Sequence, residues 1–461
     1  MATVLLLFSC EDDESFSTSK SNLLSFSADT VKVDTLFSNV PSSTRSLWVY
    51  NYSGDGIRCS SIQLEGGNQS GFRVNVDGSC LSPTLGYQVQ NVEIRKGDSI
   101  RVFVEVTTTQ QNQTNPQKIE DNLVFNLESG ASQKVNLNAW SWDATQLNNL
   151  VVRNDTTISS TKPIVIYGGI TVKEGVTLTI ASGTTLYFHN DARITVSGTL
   201  KSMGTAKNPV ILRGDRLDKM FDYLPYDYVS GQWKGILFNA NSYGNVIEYT
   251  DLHGAYNGIV ADSSDIALQK VTISSSTIHN CQGVGVSITH CKATIENTQI
   301  TNTLSDCLLI AGGDVTVNNC TLAQFYPFDS KRGAALHFRA PLQNLVCRNT
   351  LITGYADDVM MGDKGDVFNY QFEDCIIRTP KITTADSLHF TRVLFENSND
   401  TVKTGKKHFR KIDAGNLRYD FHLDSISPAI GRANALTALP LDRNGLQRDD
   451  KPDVGAYEWK K

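Results

Sequence analysis

The chain of 461 residues lacks the patterns that would make it helical, membrane-spanning or nucleic-acid binding. It has no long amphipathic segment with the period of an α-helix, which excludes a mainly helical fold. No apolar run beyond the N-terminal residues is long enough to span a bilayer as a helix. The net charge of −6 and the absence of a basic cluster argue against a nucleic-acid partner, because phosphate binding requires concentrated Lys and Arg.

Signatures of metal and cofactor chemistry are missing as well. The sequence contains no Gly-rich phosphate loop, no Ser-centred elbow and no HExxH motif. Its histidines are scattered along the chain instead of being spaced as metal ligands. The sequence therefore predicts neither a metal site nor a cofactor.

The nine cysteines include no CxxC pair. Six of them lie in apolar segments of the second half of the chain, where the pattern predicts buried thiols. Cys59 and Cys80 lie in the N-terminal part and are the one candidate disulfide of an exported protein. Their state stays open at this point, because geometry decides whether two cysteines can be bridged.

What the sequence does contain is a six-residue frame that recurs through its second half at intervals of 16 to 30 residues. The copies begin at Ile247, Ile273, Ile295, Val317, Cys347, Phe372 and Leu388. Positions one and six are apolar in every copy, and position four is small enough to be buried, as at Thr298 and Cys320. Such a period is typical of stacked turns of a solenoid with insertions on one side, and it predicts a parallel β-helix.

The frame has a simple physical basis. A single coil cannot bury its own apolar residues, so it lays them on the coils above and below. Position three is Asn in three copies, at Asn297, Asn319 and Asn349, and we expect tight bends there, with each Asn bonded to the Asn of the next coil. Position four is expected to form a buried ladder of Thr, Ser and Cys.

The N-terminal part shows a different pattern. Strands of alternating apolar and polar residues, such as residues 46–52 and 99–106, are separated by polar turns, which predicts a β-sandwich over residues 25–145. These segments resemble the immunoglobulin-like domains that precede β-helices in Bacteroidetes surface proteins. The resemblance implies a spacer role.

The second part, residues 146–420, resembles the right-handed β-helix lipoproteins of Bacteroidetes. The likeness rests on residues 164–238 and on the tail motifs S-P-A-I-G-R-A and P-D-V-G-A-Y-E-W. The resemblance implies a β-helix architecture but does not imply a particular reaction or ligand. The predicted fold class is thus all-β, with an N-terminal β-sandwich followed by a right-handed parallel β-helix. Residues 421–461, which are rich in proline, are expected to cap the open end of the solenoid.

The N-terminus resembles a bacterial lipoprotein signal. Apolar residues 4–8 are followed by Ser9 and Cys10, and then by an acidic run at residues 11–14 that resembles the surface-export signal of Bacteroidetes lipoproteins. Residues 1–9 would be a truncated signal, Cys10 the lipidated residue and residues 10–24 a tether. The resemblance implies attachment to the outer membrane through lipid and display at the cell surface.

Candidate catalytic residues are few. Asp357 and Asp358 are paired carboxylates that could act as acid and base, although a double Asp between strands is more often a solvated bend. His337 and Arg339 alternate with apolar residues, so both could face outward one coil earlier. These four residues are weak candidates for a polysaccharide lyase or hydrolase.

A stronger candidate for ligand binding is the aromatic insertion at residues 221–233. Tyr223, Tyr226, Tyr228 and Trp233 could stack on sugar rings, and the alternative is that the rings turn inward and pack on the solenoid. We therefore expect a non-catalytic surface lipoprotein that binds a polysaccharide or a surface protein, with a polysaccharide-cleaving enzyme as the alternative.

Overall fold

The structure is a computed structural model and describes residues 15–160, 162–399 and 404–460. The predicted lipidation residue, Cys10, lies outside these residues. Two compact units are present: the first contains the described residues up to Asp143 together with Arg216–Met220, and the second contains Ala144–Asp215 and the chain from Phe221 onward. Over the described part of the chain, no helix has the length and apolar character needed to cross a membrane.

The first unit is a β-sandwich. One antiparallel sheet has five strands, in the spatial order Ser25–Phe26, Arg45–Tyr50, Ser99–Val106, Phe72–Val76 and Ser79–Cys80. The second sheet also has five, in the order Thr30–Phe37, Ser132–Trp142, Gln117–Leu127, Ile57–Leu64 and Gln88–Ile94. Its first pair is parallel and the others are antiparallel. Alternating residues of both sheets form one apolar core, which confirms the sandwich.

The candidate disulfide between Cys59 and Cys80, whose state the sequence leaves open, is not formed. Both residues are free thiols. Cys59 is fully buried in the strand Ile57–Leu64, whereas Cys80 is exposed on an edge strand of the other sheet, where Asn75 donates a hydrogen bond to its sulfur at 3.2 Å. Burial raises the pKa of the Cys59 thiol to about 12, so this residue is also unreactive as a nucleophile.

The second unit is a right-handed parallel β-helix. Its strands form a single sheet of 25 strands within the described residues, and every coil pairs in parallel with the next. The strands are Thr145–Val152, Thr156–Ile158, Ile164–Val172, Thr177–Ala181, Thr185–Phe188, Ile194–Val196, Thr199–Met203, Val210–Gly214, Ile236–Phe238, Asn245–Glu248, Thr250–His253, Ile259–Ala261, Gln269–Ser274, Thr277–Cys281, Val286–Glu296, Gln299–Thr303, Leu308–Asn318, Thr321–Gln324, Leu336–Arg348, Leu351–Gly354, Val359–Met361, Phe368–Glu373, Ile376–Ile377, Phe390–Thr391 and Leu394–Phe395.

Short elements complete the fold. The strands Lys219–Phe221 and Leu224–Pro225 lie in the insertion, and Phe409–Asp413 pairs antiparallel with Arg418–Leu423 after the last coil. The described residues contain only 3-10 helices, namely Pro83–Leu85, Tyr226–Tyr228, Ala385–His389 and Thr404–His408.

The six-residue frame is the register of the solenoid. Residues at position one pair from coil to coil in the order Ile247, Ile273, Ile295, Val317, Cys347 and Phe372. The last copy is the exception, because Phe372 pairs with Phe390 and not with Leu388. The rings of Phe372 and Phe390 stack with centroids 5.0 Å apart, and this contact fixes the frame two residues later than the pattern predicts.

Positions three and four form the two predicted columns. Six residues at position three have φ between 41° and 54°, a conformation that Asn and Asp tolerate best: Tyr249, Ser275, Asn297, Asn319, Asn349 and Asp374. All position-four residues of the first six copies are fully buried. They form a ladder between coils, in which the N–H of Thr250 donates to Ser276 Oγ at 3.0 Å and the N–H of Ser276 donates to Thr298 Oγ1 at 3.4 Å.

The Asn column binds the C-terminal segment instead of forming the expected bonds between its own side chains. Asn297 Nδ2 donates to the carbonyl of Leu441 at 2.7 Å, and the N–H groups of Leu439 and Asn434 donate to Asn319 and Asn349, each at 2.9 Å. The segment also covers a second apolar core on the outside of the solenoid. The predicted cap thus contacts the side of the coils.

Candidate functional site

The aromatic insertion has a buried half and an exposed half. Trp233 is 1% exposed, stacks on Phe188 with centroids 4.1 Å apart, and donates from Nε1 to the carbonyl of His253 at 2.9 Å. It is a core residue, and its indole face cannot meet a ligand. The prediction that Trp233 binds a ligand is wrong, because this end of the insertion re-enters the solenoid by pairing with Ala255.

The exposed half carries the rings that remain available. Phe221 and Tyr223 are 53% and 74% exposed, and their rings stack with centroids 5.7 Å apart and an angle of 12° between their planes. Tyr226 and Tyr228 are half-buried in the 3-10 helix that follows. Of the four aromatic residues named from the sequence, Tyr223 is therefore the most open to a ligand.

Asp227, between Tyr226 and Tyr228, attaches the insertion to the outer face of the solenoid. Its Oδ1 lies 2.5 Å from Arg213 Nη1 and 3.8 Å from His253 Nε2. Asn280 Nδ2 donates to the Asp227 carbonyl at 3.2 Å. Three successive coils thus hold one turn of the loop, which fixes the position of its aromatic residues.

Beneath Asp227 the structure brings together two histidines that are far apart in sequence. His253 and His279 pair in register on adjacent strands, and their rings stack with centroids 4.8 Å apart. Asp251 Oδ1 lies 2.8 Å from His253 Nδ1 and 3.2 Å from His279 Nε2. The inference that the histidines are too scattered to share a site is therefore wrong for this pair. Both follow directly after a copy of the frame, so the register itself could have found them.

The charges of the histidines and aspartates in this cluster strongly affect each other's pKa. Burial opposes ionisation of Asp251, but the two imidazoles outweigh it and hold the pKa of the carboxyl well below its usual range. Burial also disfavours the cationic form of His253, yet Asp251 and Asp227 raise the pKa of His253 to about 9. In the metal-free protein at neutral pH, a protonated His253 lies between two carboxylates.

The catalytic candidates are not assembled into a surface pair. Asp357 is exposed, whereas Asp358 is 3% exposed and its Oδ2 has no hydrogen-bond partner among the described residues. Burial raises the pKa of Asp358 well above its usual range, and Arg378 offsets this only in part. The interpretation of both residues as a solvated bend is wrong for Asp358.

His337 and Arg339 lie on the outer face of the strand Leu336–Arg348, as predicted from the alternation. His337 is already engaged, because its Nδ1 lies 2.9 Å from Asp306 Oδ2. Arg339 is exposed. A histidine paired with an aspartate can act as a base, and an exposed arginine can bind the carboxylate of an acidic sugar. Asp358, the expected carboxylate partner of His337, is buried.

A second polar group was not found from the sequence. Ser427 Oγ lies 3.0 Å from His408 Nδ1, and His408 Nε2 lies 3.0 Å from Glu396 Oε2. The order of groups is that of a nucleophile, base and acid, but all three residues are buried. No substrate can reach the serine, so the group stabilises the C-terminal part of the fold.

The sandwich carries an aromatic row that the sequence analysis also missed. Trp48, Tyr50 and Tyr52 stack in sequence with centroids 6.4 Å and 5.4 Å apart, and the Arg101 guanidinium lies 5.2 Å from the Trp48 ring. Trp48 and Tyr52 are exposed. Aromatic residues at every second position of residues 48–52 were the available signal.

Three solved structures show a remote likeness to the chain. The PapD-like domain 7 of human CEP192 has 10% identity and a TM-score of 0.18, covering 31% of this chain and 97% of that one. A family 123 glycoside hydrolase from Clostridium perfringens has 9% identity and a TM-score of 0.19, covering 27% and 26%. The catalytic unit of a GH87 alpha-1,3-glucanase from Streptomyces thermodiastaticus has 11% identity and a TM-score of 0.28, covering 77% and 89%. At these TM-scores the likenesses carry no argument about function.

Comparison of sequences is more specific for one region. No curated protein matches the chain. Residues 234–403 match the family described as "Right handed beta helix region". The matched residues include the strands Ile236–Phe238 to Leu394–Phe395, and the match agrees with the right-handed parallel β-helix that these strands build.

Proposed function

We propose that the protein is a non-catalytic cell-surface lipoprotein that binds glycans through the aromatic insertion of its β-helix. The observation that carries this proposal is the stacked and exposed pair of Phe221 and Tyr223. The two rings lie side by side on the surface, and the faces of aromatic rings suit the C–H surfaces of sugars. Asp227 fixes the loop on the solenoid, so binding requires little ordering of the chain.

Binding without cleavage is the favoured form of this function. Most glycoside hydrolases use two carboxyl groups that flank the scissile bond, and here Asp358 is buried whereas its neighbour Asp357 is exposed. The competing proposal is a lyase, and it is supported by the contact between His337 and Asp306. In a lyase, His337 would remove a proton from the sugar ring of a uronate, and Arg339 would neutralise the uronate carboxylate. The two proposals differ in whether a product appears.

A protein partner is the second candidate, and the aromatic row of the sandwich favours it. Trp48, Tyr50 and Tyr52 stack in a row, and the Arg101 guanidinium lies against Trp48, a mixture of aromatic and arginine side chains typical of protein interfaces. The Arg101 guanidinium beside Trp48 also gives this row a positive charge that can pair with an acidic group of a protein partner.

The cell-surface address rests on the resemblance of the N-terminus to Bacteroidetes lipoproteins. We expect a fatty-acid analogue to label the wild-type protein and not Cys10→Ala, which should be released from the membrane fraction. Cys80→Ser removes an exposed thiol and is the matched control, since it should be labelled like the wild type. Equal labelling of wild type and Cys10→Ala would contradict the proposed anchor.

A glycan array tests the proposed ligand class. We expect binding by the wild type to be lost in Tyr223→Ala and in Phe221→Ala. Tyr52→Ala removes an equally exposed tyrosine from the sandwich and should bind like the wild type. Loss of binding in Tyr52→Ala alone would move the site to the sandwich, and binding unchanged in all three variants would refute both surfaces.

A further inference from the structure

Three potential ligand groups converge on one outer face of the β-helix. In the strand Thr250–His253, Leu252 points into the core, so Asp251 and His253 on either side of it point outward. His279 lies over His253 on the next coil. One carboxylate and two imidazoles therefore meet on two adjacent strands, whose backbone is held by the pairing of the solenoid.

The distances between these groups are close to those around a bound metal ion. Zinc bonds to nitrogen and oxygen are about 2.0–2.2 Å long, which puts neighbouring ligands of a tetrahedral or octahedral ion roughly 3.0–3.4 Å apart. Asp251 Oδ1 lies 2.8 Å and 3.2 Å from the two imidazole nitrogens. One ligand atom from each of the three residues can be chosen within 4.8 Å of the others. Small side-chain movements would therefore open the cluster around one ion.

Charge and access also fit a divalent cation. Arg213 is a cation near His253 and would repel a metal ion. Asp227 pairs with Arg213 at 2.5 Å, and its negative charge cancels part of that repulsion. Binding of the ion would displace the proton from His253, and the carboxylate of Asp251 then leaves the group of ligands with a negative charge. The side chains of His253, His279 and Asp251 are 11%, 24% and 33% exposed, which leaves one side open to water as a further ligand.

We propose that Asp251, His253 and His279 form a site for one divalent transition-metal ion of the zinc class. Two imidazoles and one carboxylate select Zn²⁺ and similar ions over Mg²⁺ and Ca²⁺, which prefer oxygen ligands. The site is independent of the proposed glycan binding. Metal at this position would also hold the two coils together beneath the insertion.

Isothermal titration of the full-length chain with Zn²⁺ tests the proposal. All proteins carry Cys80→Ser, which removes the exposed thiol among the described residues, and Cys10→Ser, which removes a second possible competing ligand. We expect one Zn²⁺ per chain, and binding weakened by at least about tenfold in His279→Gln and in Asp251→Asn. The matched control is His337→Gln, because His337 is also bonded to an aspartate on the outer face but is not part of a three-ligand group among the described residues.

A spectrum of the wild-type protein with Co²⁺ provides a measurement that needs no ligand variant. Visible absorption bands that saturate at one Co²⁺ and disappear on addition of Zn²⁺ would support the site even if a variant fails to fold. No saturable binding by the wild type would overturn the proposal and leave a hydrogen-bonded ion cluster. Binding by both ligand variants that equals that of His337→Gln would overturn it as well.

Discussion

At the scale of single residues, position four of the frame shows how a small side chain supports the solenoid. Thr298 is fully buried, accepts the N–H of Ser276 at 3.4 Å and donates to the Glu296 carbonyl at 2.7 Å. The sequence predicts this burial, because Thr, Ser and Cys alternate at one position and share little beyond their size. It does not predict the partners of Asn319 and Asn349, because these belong to a segment about a hundred residues further along the chain.

We expect Thr298→Lys to destabilise the second unit by at least about 3 kcal/mol, because it buries a charge without a partner. Urea unfolding followed by fluorescence measures the change. Thr294→Lys, at a half-buried position of the preceding strand Val286–Glu296, is the control and should change stability by much less. Equal stability of the two variants would contradict the buried ladder.

Asp358 is a buried carboxyl whose ionised form the fold disfavours. Its pKa is raised well above the usual range by burial, so the folded protein binds a proton that the unfolded chain releases, and stability falls as pH rises above about 4. We expect Asp358→Asn to fold, and to gain stability relative to the wild type as pH increases. Thermal unfolding between pH 4 and pH 8 measures this. Asp357→Asn, which changes an exposed carboxyl, should show no such gain.

At the scale of elements, the register explains both the success and the failures of the sequence pattern. Six copies pair as predicted, because burial of positions one and six restricts each coil to one alignment. The seventh copy fits the pattern from Leu388, but the structure begins it at Phe390, which stacks on Phe372 while Leu394 pairs with Ile376. The inward turn of Trp233 depends in the same way on Phe188 of an earlier coil, which local sequence does not specify.

A buried ion pair connects the end of the last coil to the C-terminal part of the second unit. Burial opposes ionisation of Glu396, but His408 and Lys407 outweigh it and lower the pKa from 4.5 to about 2. Because the carboxyl has a lower pKa in the folded protein than in the unfolded chain, its ionisation stabilises the fold above about pH 4.5. This stabilisation is lost as the pH falls toward 2. The shift in pKa corresponds to on the order of 3 kcal/mol.

We therefore expect Glu396→Gln to be less stable than the wild type at pH 7, and the difference to shrink as pH falls from about 4.5 toward 2. Urea unfolding at several pH values measures the difference. The control is Glu174→Gln, an exposed residue of the same unit. A stability difference that does not change with pH would show that the ion pair is not its cause.

At the scale of the whole molecule, architecture follows from sequence more readily than function does. The change from alternating strands to the six-residue frame predicts a sandwich followed by a β-helix, because each pattern buries its apolar residues in one way only. The candidate sites depend on side chains that meet across coils. Asp251, His253 and His279 become neighbours only through the register. Asp357 and Asp358 differ in burial, because only Asp358 turns toward the interior before the strand Val359–Met361.

The central claim is that the solenoid binds a glycan without cleaving it. The most direct test incubates one polysaccharide, selected by the array, with wild type, Tyr223→Ala and His337→Ala, and measures both binding and the release of reducing ends or unsaturated uronate. We expect wild type and His337→Ala to bind equally, Tyr223→Ala to lose binding, and no sample to release product. Product formed by the wild type and abolished in His337→Ala would contradict the claim and establish an enzyme.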